Sequence, residues 1–338
     1  MLNEEASVDE PGYLSFIDQT LHYFGRPHEH AHFERVDNNA AWRGSELPPL
    51  EDMAYHLSPA EVAEISAAVT VAAEKPGDTG SLSADDFPLP LLAPAIAQWR
   101  EQLSRGRGFQ VIRGVPVDQW TQAESELFFW CFGLHLGRPG EQNPDEDLLG
   151  HVIDISAQQP DEVQRLYKTA ANIDYHCDAA DVVGLLCLHK AKTGGKSRIV
   201  SSVTVFNELL NRAPELVPRL FQPFALDIRD REVNEAGSSL PIQPCCWADG
   251  VLRTFYHADY FRSAVRHSDV PPLTEEEQRL LDTYEAIASE EGIYVDMDLQ
   301  PGDIQLLSNH TNLHARTAYE DHAEADKRRH LLRLWLSL

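Results

Sequence analysis

The sequence predicts an α+β fold whose β part closes into a barrel or jelly roll, and three observations predict it. Long helical patterns come early, over residues 59–136. Many short β-prone runs follow. No linker, internal repeat or low-complexity tract divides the C-terminal two-thirds of the chain. All 338 residues are therefore expected to form a single domain, with an irregular arm over residues 1–58, a helical flank over 59–104 and the barrel with helical insertions over 105–338.

Residues 1–58 carry Pro11-Gly12, Arg26-Pro27 and Pro48-Pro49 among polar residues, and read as an arm that wraps a core without forming one. Ser58-Pro59 opens an Ala-rich helix over residues 60–74, since proline is tolerated in the first turn and the apolar residues recur at helical spacing. After the Gly77-Asp78-Thr79-Gly80-Ser81 loop, residues 91–104 read as a second helix stopped by Gly106. Gly108 and Gly114 bound a short strand-like run, Phe109-Gln110-Val111-Ile112-Arg113. Thr121 and Glu124 have capping-box spacing ahead of a buried helix over residues 125–136, which ends at Gly137-Arg138-Pro139. Strands are expected over residues 182–189, 197–202, 251–257, 292–297, 303–307 and 330–336. Two helices interrupt them, over residues 205–212 and 274–291, the latter with Thr274 and Glu277 as another capping box.

With 54 acidic against 28 basic side chains the chain carries −26, a field that repels phosphate backbones and anionic lipid, so no nucleic-acid partner is expected. Cys131, Cys177, Cys187, Cys245 and Cys246 have no metal-site spacing, and the last two are adjacent. They are expected as free thiols in a reducing compartment. The acidic start lacks a signal-peptide pattern, and the apolar run at residues 127–134 is too short for a bilayer. These features lead to the expectation of a cytoplasmic protein with no membrane partner.

The sharpest local feature is Tyr175-His176-Cys177-Asp178, just ahead of the run at 182–189. In extended chain His176 and Asp178 point to one face, so an imidazole and a carboxylate can grip one cation. Far downstream, Leu313-His314-Ala315-Arg316 supplies a second imidazole. Two histidines and one carboxylate form a facial triad with open positions, suited to non-haem Fe(II) and O2. Arg329 and Arg333 lie four apart in an apolar run and are expected on one strand face. Buried guanidinium groups need anions, either a ligand or ion-pair partners from the acidic chain. Ser197 follows Gly194-Gly195-Lys196 and is open to reading as a turn residue. Gln142-Asn143 reads as loop, or as lining for the polar groups of an amino acid.

At these residues the sequence resembles the Fe(II)/2-oxoglutarate-dependent oxygenases of the taurine dioxygenase-like group, which includes clavaminate synthase and the amino-acid β-hydroxylases. The resemblance covers about residues 105–338 and rests on His176 and Asp178, Gly194-Gly195-Lys196-Ser197, Leu313-His314-Ala315-Arg316 and Arg329, in that order. It implies a double-stranded β-helix (jelly-roll) core with flanking helices. It implies Fe(II) held by His176, Asp178 and His314, with 2-oxoglutarate as co-substrate and O2 as oxidant. It further implies that Ser197 touches a 2-oxoglutarate carboxylate, that Arg329 clamps the distal one, and that Arg333 faces the acidic group of the substrate. The expected reaction oxidises a C–H bond of a small acidic substrate, a carboxylic or sulfonic acid and an amino acid by preference, and releases succinate and CO2. Chemistry agrees, because the C5 carboxylate of 2-oxoglutarate calls for a bidentate cation.

Two rival readings stand beside this one. His28-Glu29-His30-Ala31-His32 matches the H-E-x-x-H zinc-hydrolase pattern, which requires both histidines on one face of a packed helix. A non-catalytic jelly roll that binds a small acid is the other, since fold does not fix function.

Overall fold

The computed structural model describes residues 12–143, 145–155, 169–228 and 239–338. Two β-sheets face each other. The larger has the strand order Tyr55–His56, Phe109–Arg113, Ile304–Ser308, Val182–His189, His330–Ser337 and Arg138–Gly140, with Gly150–Val152 also pairing to His330–Ser337. Its pairs are antiparallel apart from the parallel Tyr55–His56 edge. The smaller sheet has the order Val295–Met297, Ser197–Ser201, Asn312–Arg316 and Ile173–His176. Together they form the jelly-roll core, with helices on the outside.

The central strands read as near-continuous apolar runs because both of their faces are buried. In His330–Ser337, Leu331 and Trp335 point between the sheets, where Phe109, Val111, Val183, Cys187, Ile199, Met297 and Leu307 meet them. Leu332, Leu334 and Leu336 point outwards beneath the helices Pro59–Ala73, Ala93–Arg105 and Gln122–Leu136. Gly133 permits the close approach of the last helix, since a Cβ there would lie 2.2 Å from Leu334 Cδ2. Behind the smaller sheet, Val203, Phe206 and Leu209 of helix Ser202–Arg212 pack with Leu280, Leu281 and Tyr284 of helix Glu275–Ala288. Ser58, Thr121 and Thr274 each cap a helix, with the glutamate three residues on completing the capping box.

Three expectations need correction. The arm is not irregular throughout, because Phe16–Phe24 forms a helix capped by Ser15. Its pattern is inverted: Gln19 and Tyr23 are buried while Ile17 and Leu21 are 69% and 65% exposed, so hydrophobic periodicity hides it. The arm also feeds the core, with Trp42 packing between the sheets. The strand expected over 251–257 belongs to neither main sheet. Val251–Thr254 pairs with Cys245–Ala248 across the tight turn Asp249-Gly250, whose φ values are 52° and 73°. Finally, Arg329 and Arg333 do not share one regular strand face. Arg329 precedes the strand, and the register shifts between His330 and Leu331. All five cysteines are free, and among the described residues no helix is long and apolar enough to cross a membrane.

Candidate metal centre

His176 ends its strand directly opposite His314 on the neighbouring strand, so the pairing register alone brings two imidazoles together, with ring centroids 4.1 Å apart. Asp178 lies just past the strand end, in the loop that leads to Val182–His189, and not within a shared strand with His176. Asn309 holds that loop: its Oδ1 accepts from the Asp178 N–H at 3.1 Å, and its Nδ2 donates to the Ala180 carbonyl at 2.9 Å. One ligand atom from each of His176, Asp178 and His314 can be chosen so that all three lie within 4.8 Å of one another.

The electrostatics suit a cation. Burial alone would raise the Asp178 carboxyl, but Arg333, His314 and His176 and the Trp335 hydrogen bond outweigh it, and the group is lowered to about 2. Trp335 Nε1 donates to Asp178 Oδ2 at 3.1 Å, and Arg333 Nη1 stands 3.7 Å from Oδ1. Burial, reinforced by His176, lowers His314 to about 3, so this imidazole keeps its lone pairs at neutral pH. His176 Nδ1 donates to the Asp174 carbonyl at 2.9 Å, because a carbonyl only accepts, and Nε2 is thereby left as the ligand nitrogen. Two imidazoles and an ionised carboxylate make a donor set that fits a first-row divalent metal such as Fe(II).

Arg333 and Gln142 belong to the same cluster. Gln142 Oε1 accepts from Arg333 Nε at 2.7 Å, and its Nε2 donates to the Arg333 carbonyl at 2.9 Å and to Leu148 O at 3.1 Å. Gln142 is thus a buried brace for the guanidinium. Arg329 is also buried, 5% exposed. Its backbone N–H donates to Asp321 Oδ1 at 2.7 Å, while among the described residues Nη1 of its side chain has no hydrogen-bond partner. Gly195, at φ +69°, lets the chain pass close by, since a Cβ there would sit 3.0 Å from Arg329 Nε. Ser197 is buried, and its hydroxyl donates to Gln305 Oε1 at 2.9 Å.

Sequence reasoning left several neighbours without roles. Arg316, 6% exposed, lies two residues beyond His314 on the same strand, a spacing that places both on one face. Burial, then the Arg329 charge, lowers it to about 10. Asn309 and Tyr319 lie five residues to either side of His314, and Trp335 two beyond Arg333, but they belong to no ligand motif that would single them out. His257 bridges His176 through the backbone, with its ring centroid 5.1 Å from that of His176.

The zinc-hydrolase reading is overturned. Residues 28–32 form no helix, and the motif is spread along a docked segment. His28 Nδ1 accepts from the Trp247 N–H at 3.2 Å, Glu29 Oε1 from the Asp249 N–H at 3.2 Å, and the His32 ring stacks on Trp247 at 3.7 Å.

A jelly roll with a His/Asp/His cluster between its sheets defines the class of non-haem iron oxygenases, and the sequence comparison agrees. The chain belongs to the family described as "Taurine catabolism dioxygenase TauD, TfdA family", which matches residues 73–335, and it is an enzyme of the Fe(II)/2-oxoglutarate-dependent oxygenase type. It is 32% identical over 315 residues to FR-33289 synthase of Streptomyces rubellomurinus, covering 90% of each chain. It is 29% identical over 311 residues to the taurine hydroxylase-like protein SAT17 of Stachybotrys chartarum, covering 89% of this chain and 79% of that protein. Among solved structures, asparagine oxygenase in complex with Fe(II), 2S,3S-3-hydroxyasparagine and succinate superposes with a TM-score of 0.67 at 18% identity, covering 84% of this chain and 93% of that one. The non-haem iron oxygenase OrfP in complex with Fe and alpha-ketoglutaric acid does so with a TM-score of 0.63 at 16% identity, over the same shares.

Proposed function

We propose that this chain uses Fe(II), 2-oxoglutarate and O2 to oxidise a C–H bond of a small acidic substrate, an amino acid or close analogue, with release of succinate and CO2. The observation that carries the reading is the clustering of two imidazoles and one ionised carboxylate, His176, His314 and Asp178, between the sheets of a family member. When bound, the iron and 2-oxoglutarate together would supply the oxidising power, with one atom of O2 ending in succinate.

The residues divide the remaining work. His176, Asp178 and His314 hold the metal. Arg329, buried and with Nη1 unsatisfied, takes the far carboxylate of 2-oxoglutarate. Ser197 assists only if its hydroxyl turns away from Gln305. Arg333, braced by Gln142 beside Asp178, meets the acidic group of the substrate and so aims it at the metal. The amino-acid products held by asparagine oxygenase and by OrfP support an amino-acid-like substrate here.

The test is a screen of amino acids, small carboxylates and sulfonates for substrate-dependent succinate release in the presence of Fe(II). Succinate formed in step with one oxidised product is the expected result. Absence of both 2-oxoglutarate turnover and 2-oxoglutarate binding would overturn the reading.

A further inference from the structure

Four buried polar atoms gather around the Tyr319 ring without a hydrogen-bond partner among the described residues: Arg316 Nε, Arg316 Nη1, the Tyr319 hydroxyl oxygen and Arg329 Nη1. Arg329 and the Tyr319 hydroxyl are close enough to influence each other. The two guanidinium carbons lie 4.9 Å and 5.2 Å from the Tyr319 ring centroid. A buried donor left unsatisfied costs free energy, and a charged one costs more. Asp321 lies two residues beyond Tyr319, but its Oδ1 takes the backbone N–H groups of His322 and Arg329, its Oδ2 is buried without a partner among the described residues, and it makes no ion pair there with either guanidinium. The Asp154 charge also reaches Arg316 and Tyr319. One multivalent acceptor would satisfy the whole group. An ionised carboxylate, with about four lone-pair sites, is such an acceptor.

Resting on the Fe(II)/2-oxoglutarate reading above, we propose that Arg316 and Tyr319 join Arg329 as the socket for the C5 carboxylate of 2-oxoglutarate, so that two guanidinium groups and a phenol hold the far end of the co-substrate. The placement is suitable. Arg316 follows His314 by two residues on one strand, so the socket lies about 7 Å along the strand from the metal ligand at the usual rise, a distance a five-carbon diacid can bridge. The donors are also fixed in advance. Arg316 Nη2 donates to the carbonyls of Thr169 at 2.7 Å and Ala171 at 2.5 Å, which anchors one nitrogen and leaves the other two for a ligand. Tyr319 is anchored by its N–H to the Ala170 carbonyl at 3.1 Å and by pairing with Gly194. A site built this way binds with little ordering cost.

The test compares anaerobic calorimetric binding of 2-oxoglutarate and 2-oxovalerate, which has a methyl group in place of the C5 carboxylate, to the Mn(II)-loaded protein. Wild type should prefer 2-oxoglutarate strongly. Arg316→Gln should lose about tenfold or more of its 2-oxoglutarate affinity and Tyr319→Phe a few-fold, while 2-oxovalerate affinity stays constant in both. The ratio of the two affinities is insensitive to folding, because misfolded protein lowers the stoichiometry for both ligands alike. Wild-type ratios in Arg316→Gln and Tyr319→Phe, with the ratio collapsed only in Arg329→Gln, would overturn the socket and leave the functional reading standing. A wild type that fails to prefer 2-oxoglutarate would overturn the functional reading, and the socket with it.

Discussion

On the proposed function, Arg333 is the side chain at which the metal ligands and the acidic group of the substrate meet. Its charge is the largest influence holding Asp178 ionised against burial, and Gln142 grips it from the other side. Gln142→Leu keeps the volume and removes the brace, so the substrate KM should rise while the 2-oxoglutarate KM stays put. Arg333→Ala should go further and uncouple the reaction, with succinate outrunning oxidised product when both are measured. A matching rise in the 2-oxoglutarate KM would instead assign the pair to the co-substrate. On the proposed function His314→Ala removes a metal ligand, and elemental analysis should find the bound iron largely lost along with turnover. Arg329→Lys keeps the charge but forfeits the planar fork, so the 2-oxoglutarate KM should rise by about tenfold or more. Ser197→Ala should change that KM far less, because the serine proton is already directed to Gln305.

Elements that bury a conventional face were legible in the sequence, and those that do not were missed. The Glu275–Ala288 helix announces itself through Thr274 and Glu277, and Thr274→Ala should cost about 1 kcal/mol in urea unfolding. The Phe16–Phe24 helix buries Gln19 and exposes Ile17 and Leu21, so its apolar periodicity points to the wrong face. The short strands that carry His176 and His314 were not among the expected strands, and only the residues His176 and His314 stood out. What secures the arm is also polar. Asp181 receives His22 at 3.0 Å, His310 at 2.9 Å and the Leu338 N–H at 2.9 Å, and is paired with Arg26. Burial would raise the Asp181 carboxyl, yet His310, Arg26 and Leu338 hold it well below the ordinary carboxylate value. A carboxyl depressed in the folded state stabilises fully above its unfolded pKa of about 4, and that contribution fades as pH falls towards the folded value. The melting temperature should therefore drop below about pH 4, and Asp181→Asn should flatten that part of the profile while lowering stability at neutral pH.

At the scale of the molecule, a chain of −26 must admit a dianionic co-substrate and, on the proposed function, an acidic substrate. The local guanidinium groups favour them only at short range, while the surrounding field repels them over about a Debye length. Raising salt from about 10 to 200 mM should therefore raise kcat/KM for 2-oxoglutarate, with the Debye length falling from about 30 Å to below 10 Å. A steady fall would mean that the basic pocket dominates at a distance.

The strand His330–Ser337 lies in the interior of the larger sheet, between Val182–His189 and the short strands Arg138–Gly140 and Gly150–Val152. It carries Arg333 and Trp335, both in contact with Asp178. During translation the ribosome must add roughly 140 residues between these central strands, which takes about 7–30 s at 5–20 residues per second. Throughout that interval Val182–His189 has an unpaired apolar edge, the kind of surface that recruits chaperones or other nascent chains. Soluble yield should thus respond to slower, cooler expression or to added chaperone, and a message cut short before codon 330 should yield aggregate without iron.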